Sequence, residues 1–257
     1  MPLMHNHTFR VRHYECDPQG QVFAANYLRY MQEAAFAASA AAGYDVARYE
    51  AMGESWLIRE TMVEYLEPLH HGEVFQVRTW VLDFRRVRSR RAYEFRRQGM
   101  DELLARAFTD WVYLVRETGR PTSIPAEMKA AFFPEGAPQT APPRERFPVD
   151  SDPAADAHRQ RRPVEWRDLD AAGHVNNAVY VDFIEEAGRG LADGRAIFTK
   201  RVQIEYRQPA LPGDELEVVT WLAAQESRQK VRNTLIYRLD KGDLLARAQT
   251  EENWPDE

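Results

Sequence analysis

The sequence predicts an α+β chain built as two tandem copies of one domain, each a curved antiparallel sheet wrapped around a single central helix. Three observations carry this expectation. A set of motifs recurs at fixed spacing, one helical segment stands near the start of each copy, and long runs of β-branched and aromatic residues follow each of those segments. Composition agrees. Of 257 residues, 44% are hydrophobic and 29% charged, which suits folded domains and excludes disorder, collagen-like repeats and coiled coil.

The recurrence is specific. Asp17-Pro-Gln-Gly20-Gln21-Val22-Phe-Ala24-Ala25-Asn-Tyr27 is matched by Asp170-Ala-Ala-Gly173-His174-Val175-Asn176-Asn177-Ala178-Val-Tyr180, with Glu33-Ala34 matched by Glu186-Ala187, all at an offset of 153. Further along, Glu64-Tyr65, Pro68 to Gly72, Thr79-Trp80 and Leu103 to Ala107 face Glu205-Tyr206, Pro209 to Gly213, Thr220-Trp221 and Leu244 to Ala248 at an offset of 141. Matches in this order identify a duplication, and the drop in offset places extra chain after the helix of the first copy. Pro134, Pro138, Pro142, Pro143, Pro148 and Pro153 crowd the middle. Proline fixes φ and lacks an N–H, so a linker is expected over 134–160 between domains at 1–133 and 161–257.

Within each copy the order expected is strand, loop, helix, then four strands. First strands are read at 8–15 and 162–167. The segment 25–42 places Tyr27, Leu28, Met31, Ala34, Ala35 and Ala38 at helical spacing and stops at Gly43. Its alanines let a sheet approach closely. Strands are then expected at 56–69, 73–84, 90–98 and 102–116, and again at 198–210, 215–223, 231–239 and 244–254. Phe75, Val77, Thr79 and Val81 fall on one side of their strand.

Charge and cysteine content narrow the function. A net charge of −6 argues against a general nucleic-acid binder. Cys16, alone, forms no internal disulfide and belongs to no zinc-binding cluster. The longest apolar stretches fall short of the ~20 residues of a membrane span, and the first residues lack the apolar core of a secretory signal. The expectation is a cytoplasmic protein with neither membrane nor nucleic-acid partner and no metal or redox cofactor.

The repeated Asp-x-x-Gly-x-Val loop carries the chemistry. Glycine permits a tight turn and close approach by a ligand, and a helix start presents unpaired N–H groups with partial positive charge. Together these can polarise a carbonyl while a carboxylate attacks it or activates water. An activated ester such as a thioester suits that arrangement. Aspartate is equally a common turn and capping residue.

Tyr14-Glu-Cys-Asp17-Pro-Gln-Gly20-Gln21-Val22-Phe-Ala-Ala-Asn26-Tyr27 resembles the signature of 4-hydroxybenzoyl-CoA thioesterase-type hot-dog proteins, and Trp166-Arg-Asp168-Leu-Asp170-Ala-Ala-Gly173-His174-Val-Asn176-Asn177-Ala-Val-Tyr180 is similar to the loop of acyl-ACP thioesterases, themselves double hot-dog chains. The resemblance spans nearly everything outside the linker. It implies a tandem hot-dog fold and hydrolysis of an acyl-CoA or acyl-ACP thioester to acid and thiol. It also implies Asp17 as attacker or base, with Asp170 and His174 as counterparts and Gln21, in the place of His174, orienting water. Ala24, Gly20 and Gly173 would supply backbone N–H groups, with Asn176 near the substrate. The match departs from its families where Ala24 replaces a histidine, Ala172 an asparagine and Pro209 a glutamate.

Seven arginines between Arg85 and Arg97 form a basic patch in an acidic chain. Arginine forks suit the phosphates of coenzyme A or the acidic face of a carrier protein, so Arg85, Arg86, Arg88 and Arg90 are candidate substrate contacts. A charged hairpin edge that resists aggregation would look the same. Met31, Phe36, Trp56, Trp80 and Trp111 are candidates for the acyl pocket or for ordinary core. Glu33 and Glu186 are expected to face solvent or to be ion-paired. Two rivals remain: an acyl-thioester binding or sensing module, and a hydratase or dehydratase on the same fold. The chain is expected as a monomer acting as a pseudo-dimer, or as a homodimer.

Overall fold

A computed structural model describes residues 1–136, 143–144, 147–148, 152–193, 197–226 and 228–254, divided into two compact units, Met1–Glu145 and Arg146–Glu257. The first unit begins with strand β1 (His5–Arg10) and helix α1 (Ala24–Ala41). The short helix α2 (Val46–Met52) follows, then strands β2 (Glu54–Tyr65), β3 (Val74–Phe84), β4 (Arg88–Arg97) and β5 (Leu103–Val115), and a closing helix α3 (Ala126–Phe132). The second runs β6 (His158–Pro163), α4 (Val179–Leu191), β7 (Phe198–Tyr206), β8 (Glu215–Glu226), β9 (Gln229–Arg238) and β10 (Leu244–Asn253). Paired strands are antiparallel, in order β1-β3-β4-β5-β2 in the first unit and β6-β8-β9-β10-β7 in the second. The two topologies are the same.

Period-two burial drives each sheet onto its helix. Along β3, Phe75, Val77, Thr79 and Val81 are buried and their neighbours are not, so Trp80 stands on the outer face. Helix α1 offers Ala25, Ala34 and Ala38 to this surface with Tyr27, Leu28, Tyr30 and Met31, all buried. Phe36, by contrast, is exposed and lies outside that core. Glu33 is exposed, and Glu186, mostly exposed, stands 3.7 Å from Arg162. A satellite cluster of Tyr44, Val81, Tyr113, Ile124, Met128, Phe132 and Phe133 fixes α3. Helix α2 accounts for part of the extra chain in the first copy, starting at an Asp45 cap that accepts from Arg48 N at 2.8 Å.

Both first strands lie earlier than the sequence suggests. Residues 13–15 and 166–168 instead form single 3-10 turns. The true strands, His5–Arg10 and His158–Pro163, alternate only between half-buried and exposed, so they carry no apolar alternation to read. The start of β6 also falls inside the expected 134–160 linker. Of that linker, residues 137–142, 145–146 and 149–151 lie outside the described residues. Arg144 bonds Asp83 at 2.7 Å and Asp110 at 2.8 Å. No helix among the described residues is long and apolar enough to cross a membrane.

Candidate active-site loops

Each repeated loop is a closed backbone circuit. In the first, Asp17 N donates to Gln21 O at 2.7 Å, Gly20 N to Asp17 O at 2.9 Å and Val22 N to Leu69 O at 2.9 Å. The second repeats this with Asp170 N to His174 O at 3.0 Å, Gly173 N to Asp170 O at 3.0 Å and Val175 N to Ala210 O at 3.0 Å. Gly20 and Gly173 take φ of +77° and +82°, a region side chains with a β-carbon avoid. The glycine N–H groups are bonded inside the turn, to Asp17 O and Asp170 O.

Buried acids hold the stems. Glu15 accepts from Arg12 N at 2.7 Å and from the Tyr30 hydroxyl at 2.6 Å. Its counterpart Asp168 accepts from Glu165 N and Arg162 Nη2, both at 2.9 Å. Neither acid stood out in the sequence, because glutamate in one copy answers aspartate in the other. Two tyrosines then brace each helix start. Tyr27 accepts from Leu69 N at 3.2 Å and Tyr65 donates to Ala24 O at 3.1 Å; Tyr180 accepts from Ala210 N at 2.9 Å and Tyr206 donates to Asn177 O at 3.0 Å. Burial pushes Tyr180 up to about 12, so its hydroxyl stays neutral.

The aspartates sit at the loop mouths, half-buried. Asp17 Oδ1 accepts from Gln19 N and Gln21 N at 2.9 Å each, which leaves Oδ2 outside the turn. Asp170 Oδ1 accepts from Ala172 N at 2.9 Å. The His174 ring nitrogen Nδ1 lies 3.8 Å from Asp170 Oδ1, both side chains 27% exposed, too far for a hydrogen bond. Each aspartate therefore does stabilise its turn through Oδ1, on a loop that leads into a helix. Gln21 N is held by Asp17, and the Gln21 backbone pairs with His70.

The helix starts differ. Phe23 precedes α1 and supplies no side-chain cap. Phe23 N bonds Glu15 O at 3.0 Å, which sets Ala24, the first helical residue, alongside the loop that bears Asp17. In the second unit Asn176 stands where Phe23 does, and its Oδ1 accepts from Ala178 N at 2.9 Å. Asn176 thus stabilises the turn ahead of α4 through Oδ1.

His70 was missed. Its Nδ1 lies 3.2 Å from Gly20 O, on a segment 141 residues before Leu211, so nothing in the repeat marked it. The arginine patch divides as well. Arg85, Arg86 and Arg88 are exposed at the β3–β4 connection, Arg85 lying 3.6 Å from Asp83. Arg90 is not available to a phosphate, because it clasps Asp110 through Nη2 at 2.6 Å with both side chains nearly buried. Arg96 pairs with Glu94 and Asp101, and Arg97 with Glu73 and Glu102. Among the described residues no group of three or more histidine, cysteine, aspartate or glutamate side chains is placed to hold a metal ion.

Known proteins match both halves of the chain. Residues 11–132 match the model of the thioesterase-like superfamily, and residues 151–254 match that of the acyl-ACP thioesterase C-terminal domain. A chloroplastic palmitoyl-acyl carrier protein thioesterase of Arabidopsis thaliana is 25% identical over 97% of this chain. A chloroplastic acyl-[acyl-carrier-protein] hydrolase of Cuphea viscosissima is 23% identical over 97% of it. The chain spans 64% and 62% of the length of those relatives. Among solved structures, a 12:0-ACP thioesterase from Umbellularia californica superposes with a TM-score of 0.83 at 21% identity, covering 98% of this chain and 94% of that one. An acyl-ACP thioesterase from Bacteroides thetaiotaomicron does so with 0.80 at 17%, covering 97% and 98%. The shared fold is the tandem hot-dog.

Proposed function

We propose that this chain belongs with the thioesterases whose models match residues 11–132 and 151–254, and that it hydrolyses an acyl thioester to a carboxylic acid and a free thiol. The observation that carries the reading is Asp17, a half-buried carboxylate with one oxygen outside its own turn, on a loop bonded to the uncapped start of α1. The N–H of Ala24 and the partial positive charge of the helix start would polarise the thioester carbonyl. Asp17 would take a proton from water as the resulting hydroxide adds to the carbonyl carbon, or would attack that carbon itself and form an anhydride that water then opens. In either case the carbon–sulfur bond breaks, the sulfur takes up the proton and the acid carries the oxygen from water. Asp170 and His174 form the corresponding second loop, where the Asn176 side chain already occupies the Ala178 N–H just ahead of α4. We assign the working site to the first loop for that reason.

Acyl-ACP is the substrate class favoured, since the plant relatives matched over almost the whole chain bear that activity in their names. Exposed Arg85, Arg86 and Arg88 supply cations suited to an acidic carrier or to coenzyme A phosphates. Thiol release from acyl-ACP and acyl-CoA panels, with wild type and the Asp17→Asn and Asp170→Asn variants, tests the reading. Loss of release in Asp17→Asn supports it. Tight binding of thioesters with no release by wild type would instead make the chain a binding module.

A further inference from the structure

The inner faces of the two sheets differ at one buried charge. Arg91 and Arg232 correspond across the duplication and are 7% and 1% exposed. Each stands beside an equivalent pair of threonines, Thr79 and Thr109 in the first unit, Thr220 and Thr250 in the second. In the second unit the charge is neutralised. Arg232 bonds Glu252 through Nη2 at 2.5 Å and Nε at 3.0 Å, and donates through Nη1 to Ile184 O, Thr220 Oγ1 and Thr234 Oγ1 at 3.1 Å each. In the first unit the place of Glu252 is taken by Trp111. Among the described residues Arg91 has no carboxylate partner. Its hydrogen bond runs from Nη1 to Thr79 Oγ1 at 3.3 Å, and the Phe132 ring centroid lies 5.7 Å from Cζ.

A buried cation without a counter-ion costs several kcal/mol, and arginine does not relieve that cost by losing its proton. The surrounding polar groups are also incomplete. His5 Nε2 and Thr61 Oγ1 are buried without hydrogen-bond geometry to any partner. They belong to one surface: Thr61 faces Thr109, Thr109 faces Arg91, and His5 faces Thr79 across paired strands. Buried polar groups are ordinarily paired, so a cluster of unpaired ones around a cation marks a place that a ligand completes. The helix also packs differently in the two units. Gly188 of α4 lies against Arg232 so tightly that a β-carbon there would meet Cζ at 2.7 Å. The residue 153 positions earlier is Ala35, which carries that β-carbon, so α1 cannot close on Arg91 as α4 closes on Arg232.

Position along the sheet gives the ligand its form. Phe95, four residues from Arg91 on β4, packs on Tyr27 near the start of α1 with ring centroids 5.2 Å apart. At ~3.3 Å per residue, Arg91 lies roughly 13 Å further along the inner face, away from the Asp17 loop. We propose that Arg91 binds a carboxylate at the far end of the acyl group, so that the first unit takes acyl thioesters whose chain ends in a second carboxylate. The site stands on the geometry around Arg91; only its link to hydrolysis rests on the thioesterase reading. A carboxylate meets the guanidinium fork in a bidentate pair and supplies what Glu252 supplies in the second unit.

Two measurements separate the site from the reaction. Hydrolysis of ω-carboxyl acyl-CoA thioesters, from six to fourteen carbons, is compared with that of unsubstituted chains of equal length. Wild type is expected to favour the ω-carboxyl member at one or more lengths by at least about tenfold in kcat/KM. Arg91→Met should abolish that preference while unsubstituted chains keep their rate within about threefold. Trp111→Glu, which restores the second unit's counter-ion, should abolish it as well without loss of thermal stability. Calorimetry with the matching non-hydrolysable thioethers reads binding without turnover. An approximately tenfold affinity preference lost in both variants supports the site even if no thioester is cleaved, in which case only the thioesterase reading falls. Equal binding of ω-carboxyl and unsubstituted thioethers by wild type at every length, or an unchanged preference in Arg91→Met and Trp111→Glu, overturns the Arg91 assignment.

Discussion

The two units share topology, loop circuit and buried stem acid, yet differ just ahead of the helix and at one buried charge. In the second, the Asn176 side chain takes the Ala178 N–H and Glu252 closes the ion pair with Arg232. In the first, Phe23 offers no such acceptor and Trp111 leaves Arg91 without its carboxylate. The second unit pairs its buried guanidinium internally. The first leaves Arg91 without a counter-ion among the described residues. A duplicated domain can diverge in this way, one copy keeping an internal ion pair that the other gives up.

The contrast breaks most strongly at Glu252. Glu252→Gln leaves Arg232 buried without its counter-ion and should destabilise the second unit by about 3–5 kcal/mol, measured by chemical denaturation. Burial alone would raise the Glu252 carboxyl, but the Arg232 charge and the hydrogen bonds from Arg232 and Trp254 hold it below the ordinary carboxylate value. A depressed folded pKa contributes stability that is complete above the unfolded value near ~4.3 and disappears as pH falls through the folded one. Wild type should therefore lose stability in that acidic window, and Glu252→Gln should show a smaller loss there. A variant as stable as wild type would remove the ion pair from the account.

A smaller effect is expected at His70, whose contact with Gly20 O belongs to the first loop alone. His70→Ala should cost about 1 kcal/mol, the net worth of one hydrogen bond, and lower thiol release several-fold; an unchanged rate would show that the contact does not position the loop. The smallest effect concerns stability at Arg85, Arg86 and Arg88. Replacing all three with serine should change stability by no more than about 0.5 kcal/mol while raising KM for acyl-ACP, most at low salt, where screening is weakest. A KM independent of these residues at low salt would assign the patch to edge protection.

Much of the fold was legible because burial writes period into sequence. Phe75, Val77, Thr79 and Val81 alternate with half-buried neighbours, and the alanines of α1 mark a helix closely covered by a sheet. The duplication itself could be read from the spacing of Asp17 and Asp170. What escaped was structure without apolar period. β1 and β6 are edge-positioned strands of polar residues, and the turns at 13–15 and 166–168 are set by hydrogen bonds to Glu15 and Asp168. At the loops, sequence placed the aspartates but assigned donor roles to Gly20 and Gly173, whose N–H groups close the turn. Arg90 looked like part of a phosphate patch because pairing with Asp110, twenty residues away, leaves no local mark. The unpaired state of Arg91 became visible only when the two interiors were set side by side.

Thiol release from an acyl-ACP panel by Asp17→Asn and Asp170→Asn, each compared with wild type, tests the asymmetry most directly. A positioned base or nucleophile is worth roughly 10²–10⁴ in rate, so Asp17→Asn should lose about that much while Asp170→Asn stays within about fivefold of wild type. Full activity in Asp17→Asn, or collapse of activity in Asp170→Asn alone, would contradict the assignment of the chemistry to the first loop.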